Sequence, residues 1–444
     1  MLGRLRAPGA APRAPAPRAA PPRAAAAPSR RRVSTATKRP DTSGDVPVNG
    51  AVFNGASTNG GALNGAAMRA ALNGAAPRAA PAPPPRAAAP PLPRVLLIHT
   101  GGTLGMDPER SYESADAELG VPTLRRGTGG AYSALKPRAL AAALGRDLLA
   151  RAPELQALAR VEVRVAFNRD SSNVGPAEWA RLARLLDSQR DYFDAFLLVS
   201  GTDTLAFTAA ALSLMLAGFG KPIVITGSQI PLAMPRSDAR QNLVDALTCA
   251  VAAHYPPHAP LREVAVCFGG RLLRGNRAQK VHTSLYQAFD SPSWPCLARL
   301  GVGVEWARGA LLDPVAVYRP RFELEPAVIR VPVVPGCDPR LTYGDLFGRG
   351  VRGIVLEAFG VGNLPNKWWV PWLREQTKKG LRVCLRSQSV GGELHPELYK
   401  AGAEALRLGA EAGPQMTAEC SVVKLMLVLK FPDIPLALPL AGEL

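Results

Sequence analysis

Arg94-Val95-Leu96-Leu97-Ile98-His99-Thr100-Gly101-Gly102-Thr103-Leu104-Gly105 is a short, unbroken apolar run that ends in a glycine-rich turn. A run of this kind suits a strand covered on both faces, as in a parallel sheet. Similar runs recur at Phe196–Val199, Ile223–Ile225, Val264–Val266, Ile354–Leu356 and Leu381–Leu385. Helical periods lie between several of them, at Pro176–Gln189, Asp203–Ala217, Asp238–Ala252 and Trp369–Lys379. Strand, helix, strand predicts an α/β fold built on a parallel sheet. The Pro-rich stretch after Asp313 marks a boundary. We therefore expect an N-terminal α/β domain over 94–312, a linker over 313–340 and a smaller α/β domain over 341–444. Ligands of such sheets bind beyond the carboxyl ends of the strands, so the polar residues just after each strand are the first place to look for chemistry.

Residues 1–93 differ in kind. Ala, Pro and Arg dominate, and an Asn-Gly unit recurs at Asn49, Asn54, Asn64 and Asn73. The segment has few large apolar side chains to offset chain entropy, so it is expected to be a disordered tail. No acidic residue precedes Asp41, while Arg4, Arg6, Arg13, Arg18, Arg23 and Arg30 to Arg32 all do. With its Ala and hydroxyl residues this is the composition of an organellar transit peptide, and the Pro-rich character leans toward a plastid. A cytoplasmic protein with a disordered arm is the alternative.

The formal net charge of +18 invites a nucleic-acid function. The tail alone carries 13 Lys/Arg against 2 Asp/Glu, however. The remaining excess shows no basic run interleaved with aromatics, so no nucleic-acid partner is expected. The longest uncharged apolar stretch of the globular part, Thr204–Gly220, is shorter than the ~20 residues a bilayer needs. It is read as a buried core helix, and no membrane association is expected. The six cysteines form no C-x-x-C pair and are read as reduced thiols. His254 and His258 have helical ligand spacing, but Pro256 and Pro257 lie between them and break any helix. Neither a metal nor a cofactor is expected.

Four segments offer chemistry. In Thr100-Gly101-Gly102-Thr103 the glycines allow a sharp turn and close approach of a substrate, and Thr103 presents a hydroxyl near the strand end. Taken alone, it could equally be an ordinary turn. Ser200-Gly201-Thr202-Asp203-Thr204 opens a helix, where free N–H groups attract negative charge and Asp203 could hold an ammonium. Plain N-capping by Thr202 or Asp203 would account for it as well. Lys280 follows Arg274-Gly275-Asn276-Arg277, and burial there would lower its pKa. A solvated basic loop is the alternative. Asp170-Ser171-Ser172-Asn173 precedes a helix and could simply cap it.

Together these strings resemble the bacterial type I L-asparaginases and the related eukaryotic asparaginase domains. Further matches are Gly220-Lys221-Pro222 through Thr226-Gly227-Ser228-Gln229, Arg236-Ser237-Asp238 and Phe359-Gly360-Val361-Gly362-Asn363. The resemblance spans roughly residues 94–444. It implies that Thr103 attacks the side-chain amide of L-asparagine and that Thr202, Asp203 and Lys280 form a second catalytic group. It also implies that Ser171 binds the substrate α-carboxylate and Asp203 its α-ammonium. Asn363 would reach the site from a neighbouring subunit, which implies a homo-oligomer. The family's loop tyrosine falls on Tyr112, with Tyr132 as second choice. At the family's allosteric positions this chain carries Glu357 and Ser389, so that regulation is not carried over. A glutaminase or other asparaginase-like amidohydrolase is the near alternative. An inactive binding or scaffold protein is the distant one, although Thr103, Asp203 and Lys280 are all present.

Overall fold

A computed structural model describes residues 91–105, 148–313, 317–413 and 415–444. All of them fall in the unit Ala87–Leu444. The assignments made for residues 1–90, Tyr112 and Tyr132 lie outside the described residues.

The opening apolar run forms β1, Arg94–His99. It pairs in parallel with β2, Arg160–Val165, on one side and with β3, Ala195–Val199, on the other. The sheet continues through β4, Ile223–Thr226, and β5, Val264–Phe268, both parallel. Three antiparallel strands complete it: β6, Arg271–Arg274, then β9, Ala298–Leu300, and β10, Val304–Trp306. The spatial order is β10-β9-β6-β5-β4-β3-β1-β2. A separate two-stranded ribbon joins β7, Gln279–Lys280, to β8, Phe289–Asp290.

Side chains of period two divide between two cores. Leu96, Ile98, Phe196, Leu198, Ile223 and Ile225 pack with the helix Leu205–Met215. Val95, Leu97, Leu197, Val199 and Val224 pack with the helix Ala239–Ala250. Both faces are dry, which is why these strands are continuous apolar runs rather than alternating ones. Every residue of Leu205–Met215 but Phe207 is buried. Among the described residues no helix is long and apolar enough to cross a membrane.

A second sheet is all parallel, in the order β11-β12-β13-β14: Val328–Pro332, Gly353–Ala358, Arg382–Ser387 and Glu411–Ala412. Its first strand lies inside the 313–340 segment that composition assigns to a linker. β11 is an edge strand and tolerates Pro332, whose missing N–H an interior strand would need. The helix Ala418–Lys430 packs against both Leu205–Met215 and the second sheet, so the two sheets share one core.

Candidate active site

The chain leaves β1 for β2 on one side and returns to β3 on the other, so the loops after β1 and β3 face each other across a topological switch point. Crevices of this kind take ligands. Here the two loops touch. The Thr100 N–H and the Thr100 hydroxyl both donate to the Val199 carbonyl, each at 3.0 Å. A Cβ at Gly102 would lie 2.3 Å from the Gly201 Cα, and a Cβ at Gly201 would lie 2.7 Å from the Ser171 Oγ. Only glycine permits that approach, and Gly102 also has φ +87°. The backbone of the residue before Thr103 is thereby pressed against that of the residue before Thr202. Thr103 itself is half-buried and opens a 3-10 turn, Thr103–Gly105.

Lys280 closes the group. Its Nζ donates to the Thr202 Oγ1 at 2.9 Å and to the Asp203 Oδ1 at 2.7 Å. Asp203 keeps 65% of its side chain exposed against 21% for Lys280. A pair this exposed contributes only about 0–1 kcal/mol to folding. The Asp203 N–H donates to the Ser171 hydroxyl at 3.2 Å, and the Thr204 hydroxyl donates to the Ser171 carbonyl at 2.7 Å. Ser171 is buried and opens the turn Ser171–Asn173, capped by the Asp170 carboxylate, which accepts from the Ser172 N–H at 2.8 Å. Ser171, Thr202, Asp203 and Lys280 are thus joined directly, with Thr103 one residue beyond the Gly102–Gly201 contact.

This geometry resolves the local alternatives. Neither Thr202 nor Asp203 caps the helix Leu205–Met215. Thr204 holds that position, and its hydroxyl is spent on Ser171. Asp170 caps its own short turn, and the helix Pro176–Gln189 starts from Gly175, whose N–H donates to Glu178 at 3.1 Å. Lys280 does not sit in a solvated basic loop, because Arg274, Asn276 and Arg277 before it are all buried. Sequence reasoning missed Gln229. Its Nε2 donates to the Thr283 and Leu285 carbonyls, at 3.0 Å each, and so pins the loop between β7 and β8. Gln229 stands in the matched string Thr226–Gln229, but its partners lie more than 50 residues away.

His99, at the end of β1, is fully buried. Burial pushes its imidazole from 6.5 down to about 4, against the smaller opposing effect of a hydrogen bond with Asn168. The folded state therefore prefers the neutral ring. Between those two values the unfolded chain binds the extra proton, so this contribution to stability is complete above pH 6.5 and is lost as pH falls toward 4. Between pH 8 and pH 5 the loss is about 2 kcal/mol. Urea titrations of His99→Gln should show correspondingly less destabilisation over that interval than the parent chain. Identical slopes of stability against pH would contradict the assignment.

Asn363 stands at the second sheet rather than the first, in the turn Phe359–Asn363 after β12, where its Oδ1 accepts from the Leu364 N–H at 2.9 Å. Glu357 is buried on β12 and its Oε1 accepts from Arg330 and Arg386, at 2.8 Å from each. Among the described residues no group of three or more His, Cys, Asp or Glu is placed to hold a metal ion.

The chain matches the family model for the asparaginase N-terminal domain over residues 94–311. It matches the glutaminase/asparaginase C-terminal domain over residues 327–433. It is 36% identical over 265 residues to L-asparaginase 1 of Escherichia coli K12, an alignment covering 59% of this chain and 75% of that protein. It is 31% identical over 356 residues to a subunit of the glutamyl-tRNA(Gln) amidotransferase of Pyrococcus horikoshii, covering 77% of this chain and 73% of that one. Among solved structures it is similar to the thermostable L-asparaginase from Thermococcus kodakarensis, with a TM-score of 0.64 and 27% identity, over 79% of this chain and 99% of the other.

Proposed function

The chain belongs to the asparaginase family and is an amidohydrolase, and from that premise we propose that it hydrolyses L-asparagine to L-aspartate and ammonia with Thr103 as nucleophile. The observation that carries this reading is the Lys280 Nζ, held at hydrogen-bond distance from both the Thr202 hydroxyl and the Asp203 carboxylate. A site needs such a connected proton path when its nucleophile is a neutral alcohol.

In the first half-reaction the Thr103 Oγ1 attacks the side-chain amide carbon, and the carbonyl electron pair moves to oxygen. The Thr202 backbone N–H donates to that oxyanion, a role worth about 3–4 kcal/mol where a single donor has been removed. The proton lost by Thr103 travels through the Thr202 hydroxyl and Lys280 to the amide nitrogen. The C–N bond breaks, ammonia leaves, and an ester links aspartate to Thr103. Water then adds to the ester carbon. The C–O bond breaks, Thr103 regains its proton and aspartate departs. Asp203 binds the substrate α-ammonium and Ser171 its α-carboxylate. In this reading a second copy of the chain supplies Asn363.

The test is ammonia release by the purified protein from asparagine and, in parallel, from glutamine. We expect kcat/KM to be higher for asparagine. Release from neither amino acid by folded protein would refute the proposal. A higher kcat/KM for glutamine would keep the chemistry and replace the substrate.

A further inference from the structure

We propose that the segment Ala441-Gly442-Glu443 is a clip that positions Lys280, so that residues more than 160 positions downstream set the geometry of the site lysine; this rests on the catalytic role proposed for Lys280. The turn Gly275–Arg277 leads directly into β7 and Lys280. Three polar side chains at this turn, those of Arg274, Asn276 and Arg277, reach toward the segment. The Asn276 Nδ2 donates to the Ala441 carbonyl at 2.7 Å. The Gly442 carbonyl accepts from the Arg277 Nε at 3.0 Å and from Arg274 at 3.3 Å. Arg274, Asn276 and Arg277 are between 0% and 3% exposed, so water does not replace these acceptors. A buried donor deprived of its acceptor carries its full desolvation cost, so the turn loses stability when the segment is displaced, although Arg274 also pairs with Glu263 and Arg277 also donates to the Gln415 carbonyl.

The segment is fixed in its turn. The Glu443 carboxylate accepts from the Leu440 N–H at 2.9 Å and from the Ala441 N–H at 2.8 Å, and it pairs with Lys424 of the helix Ala418–Lys430. Glu443 and Lys424 are both fully buried. The same Asn276 Nδ2 also donates to the Ser213 Oγ at 3.0 Å, on the helix that follows Thr202 and Asp203. One amide thus ties the turn that leads into Lys280 to the helix that follows its two partners, and the clip holds that amide. Gly442 has φ +75°, and a Cβ there would lie 2.5 Å from a terminal nitrogen of Arg274. None of the three clip residues bonds to the cluster itself, so they act as positioning residues.

The experiment compares full-length Gly442→Ala and Glu443→Gln with Val383→Ala, which cuts a buried side chain in the core of the second sheet, away from the clip. Two quantities are read: kcat and KM for asparagine, and hydrogen exchange of the peptide spanning residues 278–283. We expect both clip variants to speed exchange there and to lower kcat about tenfold while KM stays within about twofold, as a misplaced catalytic group does. Val383→Ala should lower Tm without either change. Unchanged exchange and kcat in the clip variants, or the same pattern in Val383→Ala, would overturn the proposal. Should Gly442→Ala fail to fold, Glu443→Gln decides alone. Should the parent chain release no ammonia, the functional reading fails, and the exchange measurement still decides whether the clip holds the lysine segment.

Discussion

Thr103→Val is expected to abolish asparagine hydrolysis, with kcat/KM falling at least about 10³-fold, or about 4 kcal/mol of transition-state stabilisation. The substitution exchanges a hydroxyl for a methyl group on the same β-branched skeleton, so it deletes the attacking atom and little else. Thr103 is half-buried at the start of a short turn whose course is set by its neighbours. Gly102 is held against Gly201, and the Leu104 carbonyl accepts from the Leu232 N–H at 3.2 Å. Neither constraint involves the lost oxygen, so the fold and Tm should stay close to those of the parent. Substrate should still bind, because the groups assigned to it, Asp203 and Ser171, are untouched. A folded Thr103→Val protein with unchanged turnover would remove Thr103 from the mechanism and leave Thr202 as the hydroxyl beside Lys280.

The α/β architecture is legible where strands are covered on both faces. Val95–Ile98, Phe196–Val199 and Ile223–Ile225 stand out as unbroken apolar runs because each lies between two layers of helix. β2 does not stand out, since Arg160, Glu162 and Arg164 alternate with valines on an edge strand. The helix Ala418–Lys430 is hidden for the opposite reason. It is buried nearly all round between the helix Leu205–Met215 and the second sheet and shows no polar stripe of period 3.6. At the candidate site, Thr103, Thr202 and Asp203 fall in glycine turns at strand ends, a pattern readable from local sequence. The partners of the segment before Lys280 are not local. Arg277 invites an electrostatic reading because it stands three residues from the lysine, yet its Nε bonds to Gly442, 165 residues away. It also stacks over Trp294 at 5.3 Å and donates to the Gln415 carbonyl at 3.1 Å. Contacts of such separation leave no periodicity and no motif.

Lys280→Met is the sharper test of the proton path. Methionine keeps most of the aliphatic stem that a half-buried lysine lays against its surroundings, and removes the nitrogen. Two acceptors lose their donor, the Thr202 Oγ1 and the Asp203 Oδ1. Their fates differ. Asp203 is mostly exposed and water can take the place of the ammonium. Thr202 is buried, and its hydroxyl loses the neighbour assigned to take and return a proton. Stability should therefore fall by about 1–3 kcal/mol, most of it from the buried Thr202 hydroxyl, since the exposed ion pair with Asp203 contributes little. Turnover should fall about 10²–10⁴-fold, the span that a positioned proton-transfer group supplies. Because Asp203 remains charged, it can still receive the substrate ammonium, and calorimetric titration with asparagine should find binding within a few-fold of the parent. The two measurements separate the roles of the lysine. Lost turnover with retained binding places Lys280 in proton transfer. Lost binding would instead mean that the ammonium holds Asp203 in place for the substrate. Normal binding together with normal turnover would exclude Lys280 from the chemistry and leave its contact with Thr202 without a catalytic purpose.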